Sequence, residues 1–390
     1  MTSLPDLRGK VAIVGAATAG VGNAGGGYNT LELAAIAAQR ALTDANLTTR
    51  QVDGLFNNSA YHFLPALSMT EYLNIRPKVI DASTIGGSGY VSYVLSAAMA
   101  LYTGQCDVAL ICHGSNQLSG RSGTHGRLPS LMEPHPYEEP YEPRMPIAAY
   151  AMAAARHMHE YGTTREHLAE VAVAARKWAA LNPEAYERGP LTKEDVLASK
   201  MICDPLTVRD CCLVTDGAGA VVMVRAEDAG RYSSNPVYFL GGGVELSHRQ
   251  IASMPDLTVT AAKGSGQRAF AMARLSPQDV DIAELYDAFT INTLLFLEDL
   301  GFCPKGEGGR FVSDGGIAPG GQLPVNTNGG GLSFCHPGMY GIFTVIEAVR
   351  QLRGEADARQ VKDAQVALCH GNGGVLSSQA TVVLGMPSTL

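Results

Sequence analysis

Residues 106–114, CDVALICHG, are repeated later in the chain as residues 364–371, AQVALCHG. Each copy follows an apolar helix, which itself follows a glycine-rich turn, GGSGY at 86–90 and GMYG at 338–341. Continuously apolar segments of this length are typical of strands covered on both faces of a sheet. The repeated stretch therefore predicts two similar units, each with a glycine turn, a helix and a buried strand in that order.

A second repeat lies at one constant offset along the chain. Its matched positions are Ala41-Leu42 with Ala269-Phe270, Ala45 with Ala273, Leu47 with Leu275, and Val52-Asp53 with Val280-Asp281. Solenoid repeats have far shorter periods, so a single duplication explains the spacing better. Chance agreement between short apolar segments is the alternative, and the constant order of the matches argues against it. We predict an α/β fold of two homologous β-α-β-α-β halves related by a pseudo-two-fold axis.

The chain is long enough for two such halves. Its 390 residues include 46% apolar side chains and 44 glycines, a composition that suits close packing of helices on sheets. We assign residues 1–240 to the first half and 241–390 to the second, with a helical and loop insertion at about 115–200. Two helices are predicted within the insertion, at 148–161 and from 163 to about 182, with Thr163 and Glu166 as the capping box of the second.

Net charge and cysteine spacing exclude several kinds of protein. A net charge of −8 and the absence of any lysine or arginine run argue against a nucleic-acid partner. The eight cysteines lack paired CxxC spacing, which favours free thiols in the cytoplasm over disulfides or a metal site. No apolar run reaches membrane-spanning length, so no membrane association is expected.

Six prolines fall within residues 129–146. Proline lacks a backbone donor and has a fixed φ, so an extended loop is expected there. Two interpretations of this loop stay open. In the first, the loop covers either the mouth of the substrate site or part of a second subunit. In the second, it is a solvated surface loop.

Polar residues follow the predicted strands in three separate segments. They are ELYDAF at 284–289, CHPGMYG at 335–341 and CHGNGG at 369–374. Because sites in α/β folds form at the carboxyl ends of strands and at helix N-termini, these segments are expected to converge near the glycine turn at 83–89. For each candidate the alternative is a structural role, as a core histidine for His336 and His370 and as a packed aromatic for Tyr286 and Tyr340.

These motifs are similar to those of the thiolase superfamily, in its sterol-carrier and lipid-transfer-protein-like branch. The supporting runs are residues 87–89, 160–164, 215–220, 286–289, 328–331, 336–337 and 370–374. The resemblance covers nearly the whole chain and implies the thiolase fold, a five-layered α-β-α-β-α arrangement. A thiolase keeps its nucleophilic cysteine at the position of Gly86, so the resemblance implies that acyl transfer through that cysteine is lost.

The same resemblance assigns the other site positions. His336 matches the catalytic histidine of the family, His370 matches a position held by cysteine or histidine, and Tyr286 replaces an asparagine that holds a water. The glycine turn, including Gly87, and the histidine can still stabilise a thioester enolate. Retro-aldol cleavage of a β-hydroxyacyl-CoA needs no covalent intermediate. We assign Tyr286 as base, Tyr340 as acid, His336 with the backbone amides as the oxyanion site, and His370 as support.

Members of the superfamily that lack the cysteine include the steroid side-chain aldolases of bacterial sterol degradation. By that resemblance we expect a lyase acting on a steroid β-hydroxyacyl-CoA, with a CoA thioester as substrate and no cofactor on this chain. A homodimer core and a small partner protein with a zinc ribbon and an OB-fold are also implied. Two rivals stay open: a cysteine-independent acyltransferase or a Claisen enzyme that uses Cys335 or Cys369, and a non-catalytic lipid-binding or scaffold subunit.

Overall fold

The computed structural model describes residues 6–59, 62, 64–120 and 137–390. Its strands are β1 (Val11–Gly22), β2 (Gly54–Asn57), β3 (Val79–Asp81), β4 (Val108–Ser115), β5 (Met201–Cys203), β6 (Leu206–Thr207), β7 (Asp216–Arg225), β8 (Val237–Leu246), β9 (Ile282–Leu285), β10 (Val366–Gly373) and β11 (Ser378–Gly385). Its helices are α1 (Thr30–Asp44), α2 (Pro65–Tyr72), α3 (Gly89–Tyr102), α4 (Ile147–Tyr161), α5 (Arg165–Ala180), α6 (Lys193–Leu197), α7 (Ala226–Ala229), α8 (Ala262–Ala273), α9 (Thr290–Asp299), α10 (Gly308–Val312) and α11 (Gly341–Arg353). None of the described helices is long and apolar enough to cross a membrane.

Nine of these strands form one continuous sheet in the order β3-β2-β4-β7-β1-β8-β11-β10-β9. The order is symmetric about its middle, since β1, β7, β4 and β2 of the first half correspond to β8, β11, β10 and β9 of the second. The halves join where β1 pairs antiparallel with β8, through Ala12 with Tyr238 and Ile13 with Val237. The predicted duplication is confirmed by this topology. The predicted division after residue 240 falls inside β8.

The helices form three layers, one against each half of the sheet and one between the two halves. α1 packs on β1, β4 and β7, and α8 packs on β8 and β11, so each of them lies against one half. α3 and α11 contact each other and strands of both halves, which places them between the two parts of the sheet. Most side chains of both central helices are buried. The expected five-layered α-β-α-β-α arrangement is confirmed.

The two halves also share a pattern of hydrogen bonds at the start of equivalent strands. The Asp53 carboxylate, before β2, accepts hydrogen bonds from the amides of Asp107 and Val108 at 2.8 and 2.9 Å. The Asp281 carboxylate, before β9, accepts from the two matching amides at 2.8 and 2.9 Å. In each half a charge-assisted pair of bonds ties the start of one strand to its parallel neighbour. Because both aspartates belong to the repeated sequence, the repeat also specifies how these strands align.

The insertion between β4 and β7 forms α4, α5 and α6. α4 ends at Gly162, as predicted, and the φ of this residue is +71°, a conformation that favours glycine. α5 begins one residue later than predicted. Its N-cap is Thr164, so the predicted pair of Thr163 and Glu166 is wrong. The Thr163 hydroxyl instead bonds Nδ1 of the buried His157 at 2.8 Å, and this core contact outweighs the local signal.

The proline-rich segment is described only in part, because residues 129–136 lie outside the described residues. From 137 to 146 it contains one 3-10 turn at Glu139–Tyr141 and otherwise neither helix nor strand. Tyr137 and Tyr141 are 78% and 83% exposed, whereas Pro146 at its end lines the cavity described below. The described end of the segment therefore leads from the protein surface to the candidate site.

Candidate active site

A cavity of 260 Å³ lies where the carboxyl ends of β9 and β10 meet the turns that precede α3 and α11. Its walls come from residues within 84–87, 286–289, 336–339 and 372–374, together with Pro146, Tyr150 and Cys212 from the insertion. The glycine turn and the three polar segments that follow predicted strands therefore converge, as expected from the sequence.

The glycine turn leaves no room for a side chain at its first two positions. Gly86 has a φ of +78°, which side chains rarely adopt, and a Cβ there would lie 2.7 Å from Gly373 Cα. A Cβ on Gly87 would lie 2.6 to 2.8 Å from the ring and hydroxyl of Tyr286. Tyr286 thus fills the space over the turn where a side chain would otherwise project.

Tyr286 and His336 form one hydrogen-bonded pair at the cavity. The Tyr286 hydroxyl lies 2.9 Å from His336 Nε2, and the two rings meet edge to face. Tyr286 directly follows β9, and its amide donates to the carbonyl of His370 in β10 at 3.0 Å. The His336 amide donates to Thr215 Oγ1 at 2.9 Å. Both predicted residues line the cavity, and backbone hydrogen bonds hold each of them in place.

His336 is neutral near pH 7. Burial disfavours the imidazolium and lowers the pKa of His336 to about 4. A neutral ring has one nitrogen that donates and one that accepts, so Nε2 can take part in proton transfer with the Tyr286 hydroxyl. Because this nitrogen contacts Tyr286, the geometry favours a shared proton-transfer role for the two residues. The oxyanion role assigned to His336 stays a prediction.

Asp287 holds the glycine loop behind His336. Its carboxylate accepts from the amides of Gly331 at 2.6 Å and Leu332 at 3.4 Å. Gly330 packs so closely on this carboxylate that a Cβ would lie 2.1 Å from Oδ2. Burial raises the pKa of Asp287 to about 7, and the amide hydrogen bonds oppose that rise. Asp287 lies within the quoted segment 284–289, yet sequence reasoning did not select it.

Tyr340 lies behind Tyr286 and does not line the cavity. Its side chain is fully buried, and its ring centroid is 5.6 Å from that of Tyr286. The Tyr340 hydroxyl donates to Asn328 Oδ1 at 2.8 Å. Burial raises the pKa of Tyr340 well above its ordinary value. The role of Tyr340 as acid stays a prediction, and in this arrangement its ring supports Tyr286 from behind.

His370 lies deeper than the other predicted residues and also does not line the cavity. Its Nδ1 is 2.9 Å from Thr381 Oγ1, and its Nε2 is 2.9 Å from Gln379 Oε1. The ring packs against Phe296 with centroids 4.5 Å apart. Burial lowers the pKa of His370 to about 3, so it is neutral. The His370 side chain is linked to the cavity residue Asn372 through Gln379.

Tyr150 and Asn372 are cavity residues that sequence reasoning missed. The Tyr150 hydroxyl accepts from Asn372 Nδ2 at 2.8 Å and donates to the carbonyl of Gly374 at 3.1 Å. Asn372 could have been found, because side chains two positions apart on a strand share a face and His370 was already selected. Tyr150 carried no such signal, since only the packing of α4 against the rest of the protein brings it to the cavity.

The two cysteines considered as alternative nucleophiles are buried outside the cavity walls. Cys335 and Cys369 are 0% exposed, and burial raises the pKa of both thiols well above the ordinary value. Cys212 lines the cavity, but burial raises the pKa of its thiol too. A reactive thiolate is disfavoured at all three positions, which argues against a Claisen enzyme with a cysteine nucleophile.

The chain is similar to several proteins of known activity. A 17-hydroxy-3-oxo-4-pregnene-20-carboxyl-CoA lyase of Mycobacterium tuberculosis is 37% identical over 89% of this chain and 92% of that protein. A steroid side-chain-cleaving aldolase of Thermomonospora curvata is 34% identical over 87% of this chain and 90% of that protein. An acetyl-CoA acetyltransferase of Methanothermobacter thermautotrophicus is 45% identical, over 58% of this chain and 59% of that protein.

Structural comparison gives the same result. A solved structure described as the Ltp2-ChsH2(DUF35) aldolase has a TM-score of 0.87 at 32% identity, covering 97% of this chain and 98% of that one. A family model described as thiolase C-terminal domain-like matches residues 243–386. The fold and these matches define a thiolase-type protein. The chain belongs to the thiolase superfamily, in the branch that contains the steroid side-chain-cleaving aldolases, as its motifs predicted.

Proposed function

We propose that this protein is a lyase that cleaves a β-hydroxyacyl-CoA by a retro-aldol reaction, giving a ketone and a short acyl-CoA. The observation that carries the proposal is Tyr286, packed over Gly87 and hydrogen-bonded to the neutral His336. A thiolase needs a nucleophile at Gly86, where the backbone leaves no space for a side chain. The site keeps a proton-transfer pair at the cavity, which suits a substrate that carries a hydroxyl group.

The proposed reaction couples a proton transfer to the breaking of one carbon–carbon bond. The Tyr286 oxygen takes the proton of the β-hydroxyl while its own proton passes to His336 Nε2. The electrons of the Cα–Cβ bond move toward Cα, so the β-carbon becomes a ketone and the thioester becomes an enolate. A proton delivered to Cα then forms the short acyl-CoA. We propose that the backbone amides of Gly86 and Gly87 donate hydrogen bonds to the enolate oxygen.

The substrate is proposed to be a steroid CoA thioester that is cleaved to leave a ring ketone. Support comes from the two relatives whose names specify a pregnene carboxyl-CoA lyase and a steroid side-chain-cleaving aldolase. Such a step belongs to the breakdown of sterols such as cholesterol. We assign no cofactor to this chain, because acid–base chemistry and the CoA thioester itself are sufficient for retro-aldol cleavage.

Cleavage of 17-hydroxy-3-oxo-4-pregnene-20-carboxyl-CoA by the purified chain tests the proposal, with mass spectrometry of both products. Tyr286→Phe keeps the ring over Gly87 and removes the hydroxyl, so the rate should fall about 10²–10⁴-fold. Tyr232→Phe, outside the cavity walls, is the matched control. A covalent acyl-enzyme would overturn the retro-aldol assignment. A wild-type rate in Tyr286→Phe would overturn the role of Tyr286, whereas no cleavage by the wild-type chain, with the partner protein proposed below present, would favour the lipid-binding or scaffold alternative.

A homodimer formed through the edge of the sheet is also proposed. β3 is hydrogen-bonded to β2 on one side and is the last strand of the sheet, with Ile80 47% exposed. α3 packs beside β3 and adds Met99 and Tyr102, which are 46% and 41% exposed. An exposed strand edge with apolar side chains suits pairing with a second copy. Light scattering should then show a dimer for the wild type and a monomer for Ile80→Lys, and a dimeric variant would contradict this interface.

We propose, too, that the chain works with a small partner protein that has a zinc ribbon and an OB-fold. Support comes from the similar aldolase structure, whose description includes a DUF35 protein. Co-expression followed by affinity purification tests the pairing, and cleavage assays with and without the partner show whether activity needs it. A cytoplasmic location completes the proposal and is supported by eight free cysteines within the described residues.

A further inference from the structure

The cavity contains two tyrosines, and the proposed function so far uses one of them. Tyr286 pairs with His336, and Tyr150 reaches the cavity from the first turn of α4. Retro-aldol cleavage needs two proton transfers, one at the β-oxygen and one at Cα. The hydroxyl of Tyr340, the acid predicted from the sequence, is directed to Asn328 outside the cavity walls. The proton transfer to Cα therefore needs another donor.

The contacts of Tyr150 suit a proton donor. Its hydroxyl donates to the Gly374 carbonyl at 3.1 Å, a long bond that a stronger acceptor in the cavity can replace. It accepts from Asn372 Nδ2 at 2.8 Å, a contact that stabilises the phenolate formed when the proton leaves. The ring is fixed against Phe289, with centroids 4.3 Å apart. Burial raises the pKa of Tyr150 to about 12, so the hydroxyl carries its proton near pH 7.

A chain of buried hydrogen bonds sets the orientation of Asn372. Its Oδ1 accepts from Gln379 Nε2 at 2.9 Å, so its amide NH₂ group faces Tyr150. Gln379 Oε1 lies 2.9 Å from His370 Nε2, and His370 Nδ1 lies 2.9 Å from Thr381 Oγ1. His370 therefore stands at the far end of the chain of contacts that leads to Tyr150, which makes it a positioning residue.

We propose that Tyr150 is the acid that protonates Cα of the enolate. This inference rests on the proposed function and assigns its second step. The O–H bond of Tyr150 breaks, the enolate electron pair forms the new C–H bond at Cα, and the phenolate stays hydrogen-bonded to Asn372. After the products leave, water returns a proton to Tyr150 and removes one from His336, so no further reactant is consumed.

Exchange of the Cα hydrogens isolates this step from bond cleavage. The full chain is incubated with acetyl-CoA or propionyl-CoA in D₂O, and deuterium uptake is followed by mass spectrometry. Tyr150→Phe should slow exchange by about 100-fold or more, because the proton carrier is gone. Tyr232→Phe, outside the cavity walls, should exchange at the wild-type rate. Asn372→Leu should slow exchange about tenfold by removing a hydrogen bond to the phenolate.

The inference and the proposed function can fail separately. Exchange by a folded Tyr150→Phe variant at the wild-type rate would overturn the role of Tyr150, and loss of exchange in Tyr340→Phe alone would transfer that role to Tyr340. With the proposed partner protein present, a wild-type chain that exchanges but cleaves no β-hydroxyacyl-CoA would overturn the proposed function only. A wild-type chain that does neither under the same conditions would overturn both. Thermal denaturation establishes that each variant is folded, and Tyr232→Phe again serves as the matched control.

Discussion

Gly86→Cys places a cysteine where the family resemblance predicts the nucleophile of a thiolase, yet we expect a destabilised protein without thiolase activity. The φ of Gly86 is +78°, and a left-handed conformation costs a residue with a side chain about 1–2 kcal/mol. A Cβ there would also lie 2.7 Å from Gly373 Cα and 2.8 Å from Gly374 N, and such overpacking costs about 1–3 kcal/mol. The combined loss of about 2–5 kcal/mol is a large part of the stability of a typical protein, about 5–15 kcal/mol.

Gly162→Cys separates the two costs. Gly162 has a φ of +71°, and a Cβ there meets no atom within 4 Å, so only the backbone cost applies. Urea unfolding of both variants beside the wild type measures the changes in the free energy of unfolding. Gly86→Cys should be less stable than Gly162→Cys by about 1–3 kcal/mol, the cost of overpacking alone.

Acyl transfer is measured on the same proteins. Each variant is incubated with acetyl-CoA, and its intact mass is examined for an added acetyl group. We expect none, because the new side chain meets the backbone of Gly373 and Gly374 while Tyr286 fills the adjoining space over Gly87. Two equally stable variants, with an acetyl group on Gly86→Cys alone, would refute this reasoning.

Gly87→Ala places a methyl group 2.6 Å from the Tyr286 ring, so Tyr286 must shift relative to His336. We expect cleavage to slow by about 100-fold, and Gly89→Ala, whose Cβ has its nearest neighbour at 3.6 Å, should stay near the wild-type rate. His370→Gln tests the burial of His370. The pKa of His370 is about 3 in the native state, whereas the pKa of an unperturbed histidine is about 6.5. Between pH 6.5 and 4.5 the unfolded wild-type chain therefore binds a proton that the native state does not. Wild type therefore loses stability relative to the variant as the pH falls, and the difference between their free energies of unfolding should change by roughly 2 kcal/mol across that window. A gap that stays constant in urea unfolding at both pH values would contradict the placement of His370.

The repeated sequence predicted much of the fold because its signals are local. An uninterrupted apolar run marks a strand wherever it lies, and the matched Asp53 and Asp281 each hold the start of a strand. The start of α5 was less predictable, because Thr163 and Thr164 are both residues of a type that caps helix N-termini. Local sequence does not show that Thr163 is drawn into the core by His157, and this contact leaves Thr164 as the cap.

The candidate site was predictable where its residues directly follow strands. Tyr286 leaves β9 at the edge that faces the cavity, and the motif around His336 precedes α11. Tyr340 lies as close in sequence to that helix, but its hydroxyl is directed to Asn328. Tyr150 is brought to the cavity by a contact with Asn372 that spans 222 residues of sequence. Neither the direction of a side chain nor the docking of the insertion is specified by periodicity or spacing.

The duplication also explains how the cavity persists without a cysteine. α3 and α11 start from equivalent turns in the two halves, and these turns meet so closely that a Cβ on Gly341 would lie 2.2 Å from the carbonyl oxygen of Gly87. The shape of the turn thus depends on contacts between backbones and does not require a side chain at Gly86. Tyr286, from the second half, then occupies the space over the turn of the first half. Glycine at 87 and tyrosine at 286 are therefore coupled, since the ring fits only where the turn carries no Cβ. It follows that Tyr286→Asn, even combined with Gly86→Cys, would leave the new thiol against the backbone of Gly373 and would not recover a thiolase.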